Sequence, residues 1–369
     1  MSNIKVRVMK NEKIRVGIIG LGGWAKYGHI PALQSLEAFE IVAVSSRRKE
    51  LAEEYLAKFH VRHAFDNEQE LVNHPDVDLV VILAPAPEHS RLVKSVIEAG
   101  KDVYSEWPLT TNTSDSSELL ALAEAKGVRH IVGLQRRLGP AARYTRDLVK
   151  RGYVGKIRSA RMTISVDAFP ATMPGKYDWA FKASNFSHVL SVYLAHFGDM
   201  LFQSVGFPAK MTAVIENQFP FFTVEETGEQ IPNTNPNAAM VIGTLEGGGL
   251  FSIQIEGGQP HRTGLQIDIT GTDGVLRITN PRAFENKDDN HIEGMNGDRF
   301  SLASLAVPSE YQSLPVNHLD ASSQDVAYLY AAYARDKKNG TSEASNFRDA
   351  LMQHKLIDQV EQTSEAFFN

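Results

Sequence analysis

A glycine-rich turn near the start of the chain has the composition of a phosphate-binding loop. Gly20-Leu21-Gly22-Gly23-Trp24-Ala25 fits the pattern G-x-G-x-x-A, directly after the apolar run IRVGIIG (14–20). The first glycine permits a tight turn, the second lets a pyrophosphate approach the backbone, and the alanine allows close packing of helix on strand. The start of the following helix supplies free N–H groups for phosphate oxygens. We therefore predict that this loop binds an adenine dinucleotide.

The second apolar run, FEIVAVSS (39–46), bears on which nicotinamide coenzyme is bound. A strand in this position ends in an acidic residue when the coenzyme is NAD, because a carboxylate binds the adenosine 2′-hydroxyl. Here the strand ends Ser45-Ser46-Arg47-Arg48. Hydroxyl and guanidinium groups suit a 2′-phosphate, with which arginine forms charge-assisted hydrogen bonds. Ser46 and Arg47 therefore favour NADP over NAD, and the alternative is a solvated charged stretch on the next helix.

Short apolar runs and helical patterns alternate through the first third of the chain. The predicted strands lie at 14–20, 39–46, 76–84, 101–106 and 129–135. Strands that alternate with helices through short connections predict a doubly wound parallel sheet. We assign residues 1–137 to this Rossmann-type α/β domain.

After residue 137 the pattern becomes α+β, and we assign residues 138–369 to a second domain. Two hairpins are predicted, one over 239–258 and one over 265–279, which indicate a large, mostly antiparallel open sheet. Residues 220–237 and 284–300 are rich in Asn, Pro, Gly and acidic residues, which favours loops. A last helix is expected over about 346–365, where it could pack back on the first domain.

The composition excludes several classes of protein. At 369 residues, with 43% hydrophobic and 22% charged residues, the chain suits a two-domain globular protein. A net charge of −6 argues against a nucleic-acid or membrane-surface partner. Cysteine is absent, so thiolate sites and disulfides are excluded. The longest apolar run, 79–85, is shorter than the roughly 20 residues that cross a bilayer, and we expect a cytoplasmic protein without a signal peptide.

Several motifs, in order along the chain, resemble the glucose–fructose oxidoreductase / inositol dehydrogenase (GFO/IDH/MocA) family. Within it, E-W-P-L (106–109) and LQRRLGP (134–140) most resemble the branch of the fungal galactose-pathway repressor. The other matching stretches are HIPAL (29–33), Ala84-Pro85 followed by His89, AGKDVYSEWPL (99–109), GYVGKI (152–157) and DALMQHKLIDQVEQTSE (349–365).

The resemblance implies an oxidoreductase that acts on a sugar, polyol or related hydroxyl compound. It also implies a homodimer or homotetramer formed through the C-terminal sheet. Glu106 is expected near the nicotinamide ribose, and Trp107 beside the ring or in the wall of the substrate pocket, with core packing as its alternative. Gln135 could bond the carboxamide or a substrate hydroxyl. The remaining coenzyme-site residues that we carry over are Ala84, Pro85 and His89.

Two of the family's usual proton-handling groups are absent. Trp107 stands in the place of the lysine of E-K-P, and indole has no accessible acid–base chemistry. Val192 stands in the place of the first aspartate of D-x-G-x-H-x-x-D, whereas His196 matches. His196 is therefore the first candidate for proton transfer, since imidazole titrates near neutral pH, with a buried structural histidine as the alternative. Tyr177 and Lys182, in the preceding loop, are further candidates.

Two functions stay open at this point. The favoured one is an NADP-dependent oxidoreductase, with NAD as the other coenzyme, acting on a sugar-like substrate. The alternative is a catalytically silent protein that senses a dinucleotide and a ligand and controls a partner. No metal site is predicted, because the histidines are scattered without ligand spacing next to carboxylates.

Overall fold

Six short strands near the N-terminus form a parallel sheet. The structure, a computed structural model, describes residues 13–284 and 289–368. The strands are β1 (Ile14–Ile19), β2 (Phe39–Ser45), β3 (His63–Phe65), β4 (Leu79–Ile82), β5 (Asp102–Ser105) and β6 (His130–Val132). Their order is β3-β2-β1-β4-β5-β6 and every pair is parallel, so the predicted doubly wound sheet is confirmed. The reversal of order beside β1 places a crevice at the carboxyl ends of the strands.

Helices cover both faces of this sheet, which explains its apolar strands. They are α1 (Ile30–Gln34), α2 (Lys49–Phe59), α3 (Glu68–Asn73), α4 (His89–Glu98) and α5 (Thr113–Lys126). Asn112 caps α5 by accepting a 2.9 Å hydrogen bond from Asp115 N–H, and Gly127 ends it with φ +66°. The caps satisfy backbone groups that have no partner inside the helix.

The described residues of the second part of the chain form helices and eleven strands. The helices are α6 (Pro140–Lys150) and α7 (Ala195–Val205). The strands are β7 (Ile157–Ser165), β8 (Thr172–Met173), β9 (Pro208–Glu216), β10 (Phe221–Val224), β11 (Gln230–Pro232), β12 (Ala238–Leu245), β13 (Leu250–Glu256), β14 (Gly264–Gly271), β15 (Gly274–Asn280), β16 (His291–Asn296) and β17 (Ala303–Ser304).

Eight of these strands form a mostly antiparallel sheet in the order β17-β16-β15-β14-β7-β13-β12-β9. Only the β7–β13 pair is parallel among the described strands of this sheet. Both predicted hairpins are confirmed as β12–β13 and β14–β15. One face of the sheet is covered, whereas Met240, Ile242 and Leu250 on the other face are more than half exposed.

The prediction of loops over 220–237 and 284–300 is wrong. The first range contains β10 and β11, which join β8 in a three-stranded sheet, and the second contains β16. These strands are short and depend on pairing with distant partners, which no local pattern reveals. Of the second range, residues 285–288 lie outside the described residues.

Two helices follow the second sheet, and only the last was anticipated. They are α8 (Ala321–Asn339) and α9 (Phe347–Phe368). Asn346 caps α9, since its side chain accepts a 2.9 Å hydrogen bond from Arg348 N–H. Both helices contact the first sheet, because Tyr333 of α8 donates to Asp102 of β5 and the Phe347 N–H of α9 donates to His130 Nδ1 of β6. Along the described ranges, no helix combines the length and apolarity needed to cross a membrane.

Candidate functional site

The carboxyl ends of β1, β2 and β4 open into a groove of about 680 Å³. Nine residues predicted to bind the coenzyme lie together on its walls. They are Gly20, Leu21, Gly22, Gly23, Trp24, Ser46, Arg47, Ala84 and Pro85. The groove therefore joins residues from three separate strand ends, as a doubly wound sheet requires.

The glycine loop fits a phosphate group on steric grounds. Gly20 has φ +95°, and a Cβ there would stand 2.8 Å from the Leu83 carbonyl, so a side chain is excluded. At Gly22 a Cβ would meet no atom within 4 Å, so this backbone is open to a ligand. The helical turn Ala25–His29 follows and continues into α1. Its first amides provide hydrogen-bond donors for an anion.

Charged side chains lie at the β2 end of the groove. Arg47 and Arg48 line it, and Ser46 Oγ accepts a 3.2 Å hydrogen bond from Arg48 N–H. Glu68 also lines the groove, but its carboxylate accepts a 2.8 Å hydrogen bond from Arg91. A hydrogen bond with its own backbone and the Arg91 pair lower the pKa of Glu68. The negative charge of Glu68 is thus already compensated by Arg91.

His89 supports the groove from behind rather than lining it. Its ring is buried, with Nδ1 2.7 Å from Pro108 O and Nε2 2.7 Å from Ala84 O. Burial lowers its pKa, against the raising effect of the two carbonyls. A neutral imidazole carries one N–H, so it donates to one of these carbonyls at a time. His89 therefore ties the groove wall at Ala84 to the segment after β5.

Glu106, at the carboxyl end of β5, is held by three aromatic residues. Its Oε1 lies 2.8 Å from His29 Nε2 and accepts a 2.9 Å hydrogen bond from Tyr104. Tyr330 Oη in turn lies 2.7 Å from His29 Nδ1. Burial by itself raises the pKa of Glu106, but the hydrogen bonds from His29 and Tyr104 outweigh it and the pKa is lowered. Glu106 is therefore an anchored carboxylate.

The two partners of Glu106, His29 and Tyr104, and the residue behind His29, Tyr330, were missed from the sequence. His29 was visible only as the first residue of the HIPAL motif, and Tyr104 as a strand residue two positions before Glu106. Tyr330 belongs to α8, which was not predicted, and is 301 residues from His29. Gly133 gives the carboxylate room, because a Cβ there would stand 2.7 Å from Glu106 Oε2.

Trp107 packs into the core and does not line the groove. Its side chain is 7% exposed, and Nε1 donates a 2.5 Å hydrogen bond to Ser191 O. The indole also lies against the His354 ring, at 4.7 Å between centroids. These contacts match the packing alternative for this residue. The one hydrogen-bond donor of this side chain is therefore already used.

His196 and Gln135 are buried near Glu106 with polar atoms that remain available. Among the described residues, neither His196 Nδ1 nor Gln135 Oε1 has a hydrogen-bond partner. Burial lowers the pKa of His196 to about 4, while the Glu106 charge raises it and Arg136 lowers it further. His196 is thus neutral at pH 7, with a free nitrogen in the field of a carboxylate.

The remaining charges of this region form ion pairs between elements. Arg137 bonds Asp349 at 2.5 Å and Asp199 at 3.3 Å, so Asp199 orients an arginine rather than a histidine. Burial raises the pKa of Asp199 to about 7, against the lowering effect of Arg137. Arg136 pairs with Asp325 of α8 and donates to a backbone carbonyl. Both arginines therefore join the two parts of the chain.

Tyr177 and Lys182 are exposed on the segment before α7. Tyr177 is 41% exposed, and neither residue lines the groove. Trp179, between them, does line the groove with a 48% exposed side chain, and it was not predicted. The sequence offered no signal for it beyond an aromatic residue in a polar stretch.

The fold also assembles a His–His–Asp group that sequence spacing did not reveal. One ligand atom from each of His63, His74 and Asp76 lies within 4.8 Å of the others. Asp76 is 3.2 Å from Arg15 and 3.9 Å from Arg62. Two guanidinium groups supply positive charge at this carboxylate, so we treat the group as part of an ion-pair cluster.

The fold and groove are those of a Rossmann-type dinucleotide-binding protein. The sequence model described as "Oxidoreductase family, NAD-binding Rossmann fold" (GFO_IDH_MocA) matches residues 14–134, and "Gal80p, C-terminal domain" matches residues 140–280. Together the two models show that the chain is similar to the GFO/IDH/MocA family, and to its Gal80-like branch, over most of its length. The predicted resemblance is confirmed.

Three proteins similar to this chain differ in the functions that their names state. The galactose/lactose metabolism regulatory protein GAL80 of Kluyveromyces lactis is 27% identical over 75% of this chain and 66% of its own length. The dehydrogenase aclE of Aspergillus oryzae is 24% identical over 96% of this chain and 97% of its own. The structure of levoglucosan dehydrogenase in complex with NADH and levoglucosan superposes with a TM-score of 0.83, at 19% identity, over 96% of this chain and 98% of the other.

Proposed function

We propose that the protein is an NAD(P)-dependent oxidoreductase. It transfers a hydride between NADP(H) and a hydroxyl or carbonyl group of a sugar- or polyol-like compound. The observation that carries the proposal is the glycine-lined groove, where Gly20 admits no side chain and Gly22 opens the backbone to a phosphate. Relatives named as dehydrogenases, and a neighbour solved with NADH and a sugar-derived ligand, support this choice.

NADP is the proposed coenzyme because of the groove end at β2. Ser46 and Arg47 replace the acidic residue that suits NAD, and the nearby Glu68 is compensated by Arg91. Arginine pairs with a phosphate through charge-assisted bonds that a ribose hydroxyl cannot match. NAD remains the second coenzyme to test.

The coenzyme supplies the hydride chemistry when it is bound, and the chain's own residues supply orientation and proton handling. Residues 20–24 would hold the pyrophosphate. His196 is the proposed proton acceptor, since burial lowers its pKa and keeps the ring neutral, its Nδ1 has no partner within the described residues, and the Glu106 charge would stabilise the proton it takes up. Tyr177 and Lys182 remain secondary candidates.

The test separates binding from turnover. Calorimetry with NADPH and NADH measures the affinity for each coenzyme, and absorbance at the nicotinamide band follows turnover across sugars and polyols. We expect tighter binding of NADPH and turnover with at least one substrate. Failure of both coenzymes to bind would refute the proposal.

A second function is supported by the Trp107 position. The indole that replaces the usual lysine is buried and hydrogen-bonded to Ser191 O, so it supplies no proton. Together with the GAL80 relative, this favours a dinucleotide-dependent regulatory protein that binds a ligand without turnover. Tight NADPH binding with no turnover across a broad panel would decide for this alternative.

We also propose a homodimer or homotetramer built on the open face of the eight-stranded sheet. Met240, Ile242 and Leu250 leave that face apolar and exposed, beside a hollow of about 610 Å³. Light scattering measures the mass in solution. An Ile242→Lys change should shift it to the monomer, because a charge in an apolar interface is costly.

A further inference from the structure

We infer that helix α8 positions both proton-handling groups of the site. Tyr330 does so for Glu106, through one intermediate side chain. Asp325 does so for His196, through an arginine and an aromatic ring. The inference rests on the proposed function, in which His196 accepts a proton and the Glu106 charge stabilises it. Tyr330 and Asp325 act through other side chains, so they are positioning residues and not catalytic ones.

Helix α8 is built into the body of the protein. Tyr330 is fully buried and Asp325 is 3% exposed. The first turn of the helix is bonded to the turn that carries His29, since Ser323 Oγ donates a 3.1 Å hydrogen bond to the Tyr27 carbonyl. Close packing leaves the side chains of such a helix little room to move. The helix can therefore fix the groups that its side chains hold.

The first connection is a chain of directed hydrogen bonds that ends on Glu106. Burial and the Glu106 charge raise the pKa of Tyr330, so its hydroxyl stays protonated. The Glu106 carboxylate only accepts, so the hydrogen of its 2.8 Å contact with His29 lies on Nε2. In a neutral imidazole Nδ1 is then an acceptor, and the Tyr330 hydroxyl, 2.7 Å away, is its donor. Tyr330 thus fixes the His29 tautomer that bonds the carboxylate.

The second connection runs from Asp325 to the aromatic ring beside His196. Asp325 pairs with Nη1 of Arg136, whose Nη2 donates a 2.6 Å hydrogen bond to the Ala283 carbonyl. The guanidinium carbon lies 5.3 Å from the centroid of the Phe284 ring. That ring meets the His196 ring edge-on, at 5.0 Å between centroids. Asp325 therefore holds the cation that packs on the neighbour of His196.

The positions of Glu106 and Arg136 matter because their opposite charges act on one imidazole. Burial lowers the pKa of His196 most strongly, the Glu106 charge raises it and the Arg136 charge lowers it. Coulomb energy depends on distance, so the positions of both charges decide how readily His196 takes up a proton. Both positions are set by side chains of α8.

The first test compares two buried tyrosines of α8 in the full-length protein. Tyr330→Phe removes the hydroxyl beside His29, and Tyr333→Phe removes the one that donates a 2.6 Å hydrogen bond to Asp102, at the amino end of β5. Each variant keeps its ring and loses one hydrogen bond, so the two should lose similar stability. We expect kcat to fall about five- to fiftyfold for Tyr330→Phe. For Tyr333→Phe it should change less than about twofold.

The second test compares two buried carboxylates of the same helix. Asp325→Asn removes the charge that pairs with Arg136, and Asp336→Asn removes one that accepts hydrogen bonds from the Glu343 and Ala344 amides at the end of α8. We expect kcat to fall about five- to fiftyfold for Asp325→Asn and to change less than about twofold for Asp336→Asn. A buried arginine without its partner is costly. If Asp325→Asn does not fold, Arg136→Met/Asp325→Leu leaves no charge of this pair unpaired and should show the same loss of kcat.

Three measurements accompany each pair of variants. Absorbance at the nicotinamide band gives kcat and KM with a substrate from the sugar and polyol panel, and thermal unfolding gives Tm. Calorimetry gives the NADPH dissociation constant, which should stay within about twofold of wild type because the groove itself is unchanged. A fall in kcat at unchanged NADPH affinity, in the site-facing member of each pair alone, is the signature of positioning.

The outcomes separate this inference from the proposed function. Equal kcat values within each pair, at equal falls in Tm, would overturn the positioning role of α8 while the proposed function stands. So would a loss of NADPH affinity that accounts for the whole loss of activity in Tyr330→Phe and Asp325→Asn. A wild-type protein that binds NADPH but turns over no sugar or polyol would instead overturn the proposed function, and this inference with it.

Discussion

Trp107 gives the sharpest test of how this site departs from its family. If the indole is a core residue, shortening it should lower stability and leave coenzyme affinity unchanged. Trp107→Phe keeps an aromatic ring but removes the Nε1 donor from Ser191 O, to which it bonds at 2.5 Å. Trp107→Ala removes the ring as well, including its contact with His354.

The two magnitudes follow from these contacts. Leaving the buried Ser191 carbonyl without its donor costs about 1–3 kcal/mol, which is our expectation for Trp107→Phe. Truncating a buried Trp to Ala costs about 3–5 kcal/mol through lost contacts and the cavity that remains. With the lost hydrogen bond, Trp107→Ala should cost about 4–8 kcal/mol, a large part of a stability of about 5–15 kcal/mol.

Thermal and urea unfolding of the wild type and the two variants measure these losses of stability. Calorimetry with NADPH measures the coenzyme affinity. We expect the unfolding midpoint to fall in the order wild type, Trp107→Phe, Trp107→Ala, with an NADPH affinity for Trp107→Phe within about twofold of wild type. A Phe variant of wild-type stability that binds NADPH tenfold more weakly would contradict this reasoning. The indole would then be a coenzyme ligand.

Four further changes test other parts of the site. Arg47→Ala should weaken NADPH about tenfold and leave NADH nearly unchanged, as measured by calorimetry, because the guanidinium would pair with the 2′-phosphate. His196→Gln should lower kcat by about a hundredfold at unchanged coenzyme affinity, and an unchanged kcat would exclude it as the proton acceptor. Gly133→Ala should lower Tm by an amount equivalent to about 1–3 kcal/mol, because its Cβ would stand 2.7 Å from Glu106 Oε2. Burial lowers the pKa of His354 from 6.5 to about 4. As pH falls from 6.5 to 4, the imidazole is protonated in the unfolded chain but not in the folded protein, so the folded protein loses stability. His354→Leu should remove up to about 3 kcal/mol of that loss and flatten the curve of Tm against pH, whereas an identical curve would show that this ring is not buried in a neutral form.

Much of the fold could be predicted because its signals are local. The parallel sheet followed from apolar runs that alternate with helical patterns, and both hairpins from turns flanked by alternating residues. The same holds for the glycine loop, where the φ of +95° and the nearby Leu83 carbonyl require a glycine at Gly20. Helix α8 was not predicted, because nearly all of its central residues are buried and it therefore lacks the polar face of an amphipathic helix.

The amino-acid sequence by itself determined the dinucleotide groove, since a strand, a glycine turn and a helix start lie next to each other along the chain. Tertiary structure decided the rest of the site. Glu106 is held by Tyr330 through His29, and Trp179 lines the groove from the segment before α7, far along the chain from the other lining residues. These contacts join residues that are far apart in sequence, and their formation depends on the packing of whole elements. A periodic pattern records which face of an element is buried, but not which distant side chain it meets.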